Sequence, residues 1–268
     1  MSERIDVVLT QRGLAQSREK ARALVMAGVV YVDGKRVDKA GTGVSEQVAI
    51  EVRENPLPFV SRGGLKLQKA LEVFPIDLTG AYALDVGAST GGFTDCMLQH
   101  GAAHVCAIDV GYGQLDWKLR NDPRVTVMER TNARYMEPVW FSQPADFASI
   151  DVSFISLRLI LPPLLACLAD GGEVAALIKP QFEAGRSQVG KNGVVRDAAV
   201  HAAVCGEIIR FAQSTGYGVA GLSFSPITGP KGNIEFLLHL QKTDAPEQAV
   251  SAEAVERIVQ EAHRATLA

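Results

Sequence analysis

Hydrophobic and polar positions follow two different rhythms along the chain. Over the first sixty residues the apolar positions are few. Ile5, Val8 and Leu9 share one face of a short helix that stops at Gly13, and Ala21, Leu24 and Val25 share the buried face of a second helix over 18–27. Ser17 stands where an N-cap belongs, and Gly28 where a helix stops. The alternation Val29-Val30-Tyr31-Val32 then meets Asp33-Gly34, a hairpin turn pair, before Lys35-Arg36-Val37, and 48–52 supplies one more strand. From residue 62 the rhythm changes. Apolar runs of strand length at 82–86, 105–109, 125–128, 147–151 and 174–179 alternate with helical periodicity at 64–74, 91–99, 114–121 and 156–169. A helix at 197–214 and strands at 217–225 and 234–240 complete a seven-stranded, mostly parallel sheet with helices on both faces. The pattern predicts a small α+β domain over 1–54, a Pro-broken linker over 55–61, an α/β domain over 62–242 and a helical tail over 243–268.

Charge adds a second division. The 268 residues hold 27 Lys+Arg and 30 Asp+Glu, net −3, which on its face argues against a nucleic-acid binder. Residues 1–70 carry 12 basic and 8 acidic side chains, net +4, so the remainder is net −7. A basic front end on an acidic body reads as a polyanion-binding module, with Arg4, Arg12, Arg18, Lys20, Arg22, Lys35 and Arg36 as the phosphate-contacting candidates. The longest apolar run, 159–169, contains Pro162 and Pro163 and falls short of the ~18 residues that cross a bilayer. Charges at Glu3, Arg4 and Asp6 occupy the place of a signal peptide's apolar stretch, and Cys96, Cys106, Cys167 and Cys205 lack metal-ligand spacing. The reading is a cytoplasmic protein with reduced thiols, no metal site and no membrane span.

The sharpest local feature is Leu84-Asp85-Val86-Gly87-Ala88-Ser89-Thr90-Gly91-Gly92-Phe93, which follows a strand and opens a helix. Open α/β sheets bind ligands at that end of a strand. Gly87 suits a tight turn, and Gly91 and Gly92 suit close approach of a ligand to the backbone. The spacing is not the G-x-G-x-x-G of dinucleotide binders, and Asp85 at the strand end would repel a pyrophosphate but suit an ammonium. Asp109 ends the next strand 24 residues on, where a carboxylate grips a ribose diol. Together these features favour S-adenosylmethionine, with Gly87, Ala88, Ser89, Gly91, Gly92 and Phe93 lining it.

Charged residues also stand where a packed α/β domain ordinarily has neutral ones. Asp151 ends the fourth strand, Lys179 ends the fifth, Glu235 opens the last strand, and Lys66 lies in the helix before the first. In the usual strand order the first, fourth and fifth are neighbours, so Asp85, Asp151 and Lys179 share one rim.

Two resemblances cover most of the chain. Arg4-Ile5-Asp6, Gly13 to Arg18, Ala21, Gly28, Val32-Asp33-Gly34 and Val37 resemble the small RNA-binding domain first known from ribosomal small-subunit protein four. Residues 60–240 are similar to FtsJ-type ribose methyltransferases, whose Lys-Asp-Lys-Glu tetrad matches Lys66, Asp151, Lys179 and Glu235. With Ser61-Arg62-Gly63-Gly64, Asp109 to Leu115, Arg130 to Arg134 and Lys179 to Glu183, the whole chain resembles the TlyA family of hemolysin-like ribosomal RNA 2′-O-methyltransferases. The resemblance implies a Rossmann-like methyltransferase fold, S-adenosylmethionine held also by Asn132 and Asp151, and ribosomal RNA or ribosomal subunits as partners, as a monomer or a homodimer. Lys179 would take the proton of a ribose hydroxyl or hold the developing oxyanion. Phe154 and Phe182 are expected to pack against the sheet, with stacking on a base as the other reading, and Arg130 and Arg134 to lie on the surface. Other classes compatible with the sequence are an RNA-binding assembly factor with an inactive methyltransferase domain, and a pore-forming hemolysin.

Overall fold

The computed structural model describes residues 2–267 apart from 16, 27, 46, 54–56 and 244–249. The chain divides into two compact units between Arg62 and Gly63, and the first two residues of the expected 55–61 linker lie outside the described residues.

In the first unit, β1 (Ser2–Arg4) leads into α1 (Ile5–Gln11) and α2 (Arg18–Met26), followed by β2 (Val30–Val32), β3 (Lys35–Arg36), β4 (Gly43–Ser45) and β5 (Ile50–Val52). Ser17 caps α2 by accepting from the Lys20 amide at 3.2 Å. β2 and β3 form the hairpin around Asp33-Gly34, both residues left-handed as a primed turn requires, and β5 pairs the other edge of β2. β1 pairs β4 antiparallel, a contact of three-residue strands too short to leave a periodic signal. Ile5, Val8, Leu9, Ala21, Val25 and Val30 close the core between the helix pair and the sheet.

In the second unit, α3 (Gly64–Val73) precedes β6 (Tyr82–Val86), α4 (Gly92–Gln99), β7 (His104–Ile108), α5 (Trp117–Arg120), β8 (Val125–Met128) and β9 (Ala145–Ile150). Then come α6 (Leu161–Cys167), β10 (Leu168–Ile178), α7 (Pro180–Glu183), α8 (Ala198–Thr215), β11 (Tyr217–Phe224), β12 (Phe236–Lys242) and α9 (Ala252–Leu267). The sheet runs β8-β7-β6-β9-β10-β12-β11, parallel except for β12, which is antiparallel to both neighbours. β6, β9 and β10 are therefore adjacent, as the rim argument requires.

Two expected helices differ. The stretch 114–121 is helical only from Trp117, because Asp116 caps there by accepting the Lys118 amide at 2.9 Å. The stretch 156–169 becomes a 3-10 turn and then α6, with Pro162 in its first turn, and Leu168 already belongs to β10. The C-terminal α9 is more than a polar tail: Val255, Val259 and Ala262 are buried in the same core as the sheet. Among the described residues no helix is long and apolar enough to cross a membrane.

Candidate active site

The glycine loop joins β6 to α4, and its glycines serve the protein's own packing. A Cβ on Gly87 would stand 2.7 Å from the carbonyl oxygen of Asp151, so only glycine lets this turn cross the end of β9. The Cβ position of Gly91, whose φ is +93°, is taken by the side chains of Leu115 and Leu119. The packing of these leucines is thus one reason for glycine at position 91. Ala88, Gly92 and Phe93 are buried, while Ser89 is exposed at the loop tip with a φ of +49°.

Beneath the loop Asp85 is wholly buried. Its carboxylate accepts from Thr94 Oγ1 at 2.6 Å and from Ser149 Oγ at 3.1 Å. Burial, reinforced by the charge of Asp151, pushes its pKa up to about 6 against those two hydrogen bonds. Asp109, half-buried past the end of β7, accepts the amides of Ser89 at 2.8 Å and Gly111 at 2.7 Å, which ties it to both the glycine loop and its own. Asn132 Oδ1 accepts the Arg134 amide at 3.1 Å, so what Asn132 offers a purine is its Nδ2 donor.

Four side chains from four elements meet beside this loop. Lys66 of α3 places Nζ 2.7 Å from Glu235 Oε2 and 3.2 Å from Asp151 Oδ2, and Asp151 Oδ1 pairs with Lys179 Nζ. Lys66, Lys179 and Glu235 are all less than a tenth exposed. Burial pulls the Lys66 ammonium down, but Asp151 and Glu235 together outweigh it and hold it above the ordinary lysine value. For Asp151 burial acts upward, and the two lysines hold it below the ordinary carboxylate value. Lys66 is thus a fixed cation between two carboxylates, whereas among the described residues Lys179 pairs with one, Asp151.

Sequence reasoning missed two participants, Ser153 and Glu183. Ser153 Oγ accepts from Lys179 Nζ at 3.1 Å. Glu183 ties the loop after β9 to α7, accepting Ser156 Oγ at 2.6 Å and the Leu157 amide at 2.7 Å. Of the two readings of Phe154, packing against the sheet does not hold: the residue is 90% exposed, has a φ of +64°, and lies beside Phe182 with ring centroids 5.0 Å apart. A left-handed phenylalanine held in solvent was signalled by nothing in the sequence except its place three residues past Asp151.

In the first unit the basic candidates are organised by an acid. Asp6, wholly buried, meets Arg4 at 3.0 Å, Arg22 at 3.1 Å and Arg18 at 3.5 Å, each arginine about half exposed. Arg4 above all holds the Asp6 carboxyl far below the usual range. Arg12 donates to the Val48 carbonyl at 2.7 Å, and Lys20, Lys35 and Arg36 are exposed. Arg53, outside the predicted set, lies 3.8 Å above the Tyr31 ring. Arg130 likewise covers Tyr112, at 4.2 Å.

The donor set fits S-adenosylmethionine. Carboxylates stand at the ends of three adjacent strands, and no basic side chain occurs in 87–93 to neutralise a pyrophosphate. Fold and site define a Rossmann-like, S-adenosylmethionine-dependent methyltransferase behind a small α+β domain. The FtsJ-like methyltransferase family matches residues 59–242, and the S4 domain family matches residues 3–50. The 16S/23S rRNA (cytidine-2′-O)-methyltransferase TlyA of Mycobacterium tuberculosis is 47% identical over 98% of this chain and 96% of its own. YqxC of Bacillus subtilis, provisionally assigned as an rRNA methyltransferase, is 55% identical over 98% of this chain and 94% of its own. A solved structure from Streptococcus thermophilus, provisionally assigned as a hemolysin, superposes with a TM-score of 0.80 at 51% identity, covering 98% and 96% of the two chains. The chain belongs to the TlyA family, an FtsJ-like methyltransferase domain preceded by an S4 domain.

Proposed function

We propose that the protein transfers a methyl group from S-adenosylmethionine to the 2′-oxygen of a ribosomal RNA nucleotide within a ribosomal subunit, in the cytoplasm. The observation that carries this reading is the buried Lys66–Asp151–Lys179–Glu235 network next to the glycine loop. The name of the Mycobacterium tuberculosis relative supports cytidine as the nucleotide.

When bound, the cofactor supplies an electrophilic methyl on a cationic sulfur. The chain's own residues bind and orient. Asp109 carries two backbone hydrogen bonds and keeps lone pairs for the ribose hydroxyls, and Asn132 offers a donor to the purine. Asp85 is sealed under the loop, so its part is a negative field beneath a cationic ligand rather than direct contact. Gly87, Ala88, Ser89, Gly91, Gly92 and Phe93 set the path of the loop.

A ribose hydroxyl is a poor nucleophile and loses its proton as it attacks. Lys179 Nζ is the group to receive that proton or to stabilise the alkoxide as it forms, and the same position serves either role. Asp151 orients Lys179, while Lys66, pinned by Glu235, offsets the charge of Asp151. Phe154 and Phe182 offer an exposed aromatic face to the target base. The S4 domain supplies RNA affinity through Arg4, Arg12, Arg18, Lys20, Arg22, Lys35 and Arg36.

The test is Lys179→Ala. It is expected to abolish tritium transfer from labelled cofactor to ribosomal RNA while calorimetry still detects cofactor binding. Unimpaired transfer by this variant would overturn the assignment of the network.

A further inference from the structure

The catalytic candidate Lys179 has a second partner that the tetrad does not include. We propose that Ser153 is a positioning residue: with Asp151 it fixes the direction in which Lys179 presents its reactive position to the ribose hydroxyl. The proposal rests on the reading of Lys179 given above.

An amine nitrogen has four tetrahedral positions, and Cε occupies one of them. Ser153 Oγ, at 3.1 Å, accepts at a second, and Asp151 Oδ1 sits against Nζ as its ion-pair partner. Among the described residues no further hydrogen bond reaches Nζ, so a position stays open. In the ammonium it is an N–H, which can stabilise an alkoxide. In the neutral amine it is the lone pair, which can take a proton. Either chemistry needs that position aimed at one oxygen, and two partners define the aim where one leaves rotation about the Cδ–Cε bond.

The place of Ser153 is overdetermined. It lies two residues past Asp151, whose carbonyl packs on Gly87 and whose amide donates to Val86 O at 3.0 Å. Three residues further on, Ser156 and Leu157 are held by Glu183, the last residue of α7, and α7 starts at Pro180 immediately after Lys179. The serine and the lysine are thus clamped to each other through their own loops. Because Ser153 accepts from the lysine, its hydroxyl hydrogen stays available to an oxygen of the substrate. The residue is exposed, unlike its three most buried neighbours in the network, so truncating it leaves the core untouched.

The test compares Ser153→Ala, Ser153→Thr and Lys179→Ala in the full-length chain, with ribosomal RNA and labelled S-adenosylmethionine. Ser153→Ala is expected to lower kcat on the order of tenfold, with KM for RNA and Kd for the cofactor unchanged. Ser153→Thr, which keeps the hydroxyl, is expected to recover most of the rate. A wild-type kcat in Ser153→Ala, a loss confined to KM, or a threonine variant as slow as the alanine one would overturn the proposal. If Lys179→Ala is inactive while Ser153→Ala is normal, only the serine's role falls. If Lys179→Ala is active, the lysine's role falls and the serine's with it.

Discussion

Asp85 is the clearest place to separate stability from function. Its carboxylate is wholly buried and accepts hydrogen bonds from two neutral hydroxyls, Thr94 and Ser149. Its pKa in the folded protein is raised from 3.8 to about 6. The folded state therefore binds this proton more tightly than the unfolded chain does. Stability is highest with the carboxyl protonated and falls as pH rises between the two values. At pH 8 the buried charge costs about 3 kcal/mol relative to a neutral group. Asp85→Asn keeps the shape and can hydrogen-bond both hydroxyls, so it is expected to be more stable than the wild type at pH 8 by an amount of that order. The gap should open between about pH 4 and pH 6 and stay level above about pH 7. Trp117 and Trp140 are the chain's only tryptophans, and both lie in the second unit, so urea unfolding followed by their fluorescence reads the relevant unit. The same variant should bind S-adenosylmethionine more weakly, because the field of the carboxylate is gone. A gap that does not change with pH, or an asparagine variant less stable at pH 8, would refute the reasoning.

Lys66→Met removes the cation paired with buried Glu235 and is expected to cost about 3–5 kcal/mol, lowering the Tm of the second unit by about 6–20 °C; adding Glu235→Gln should recover part of that loss in a melting experiment. Asp6→Asn adds one unit of positive charge, so bulk electrostatics predicts tighter RNA binding. The fan of Arg4, Arg18 and Arg22 around Asp6 predicts the opposite, several-fold weaker binding in a fluorescence-anisotropy titration with ribosomal RNA, provided circular dichroism shows the domain folded. Phe154→Ala should leave melting and cofactor affinity unchanged, because the ring is exposed, while slowing methyl transfer to RNA on the order of tenfold in single-turnover assays.

Much of the architecture was legible in the sequence because a parallel strand buried on both faces must be a continuous apolar run. β6, buried at every position, begins and ends where its run does, and β7 and β9 differ by a residue or two. The edge strand β8 is only partly buried and still matches its run. Legibility failed where polar contacts outweigh periodicity. Gly113 donates to Glu129 and Ser89 to Gln114, so the stretch before Trp117 forms a loop rather than the first turns of a helix. The β1–β4 pair joins segments of three residues and leaves no pattern to read.

For the site, the sequence by itself determined which residue types stand at which strand ends: an acid at the end of β6, another past β9, a lysine past β10. The alternation of strand and helix fixes those places before any packing is known. Only the tertiary structure decided who bonds whom. Lys66 is 85 residues from Asp151 and 169 from Glu235 along the chain, and one ammonium spans both. It also decided that a carbonyl and two leucines pack where side chains on Gly87 and Gly91 would stand, that Asp85 is wholly buried, that Phe154 stands in solvent, and that Lys179 donates to Ser153. The physical reason is one of range. Periodicity and turn chemistry act between near neighbours in the chain, whereas burial and ion pairing depend on segments that meet only when the sheet is assembled.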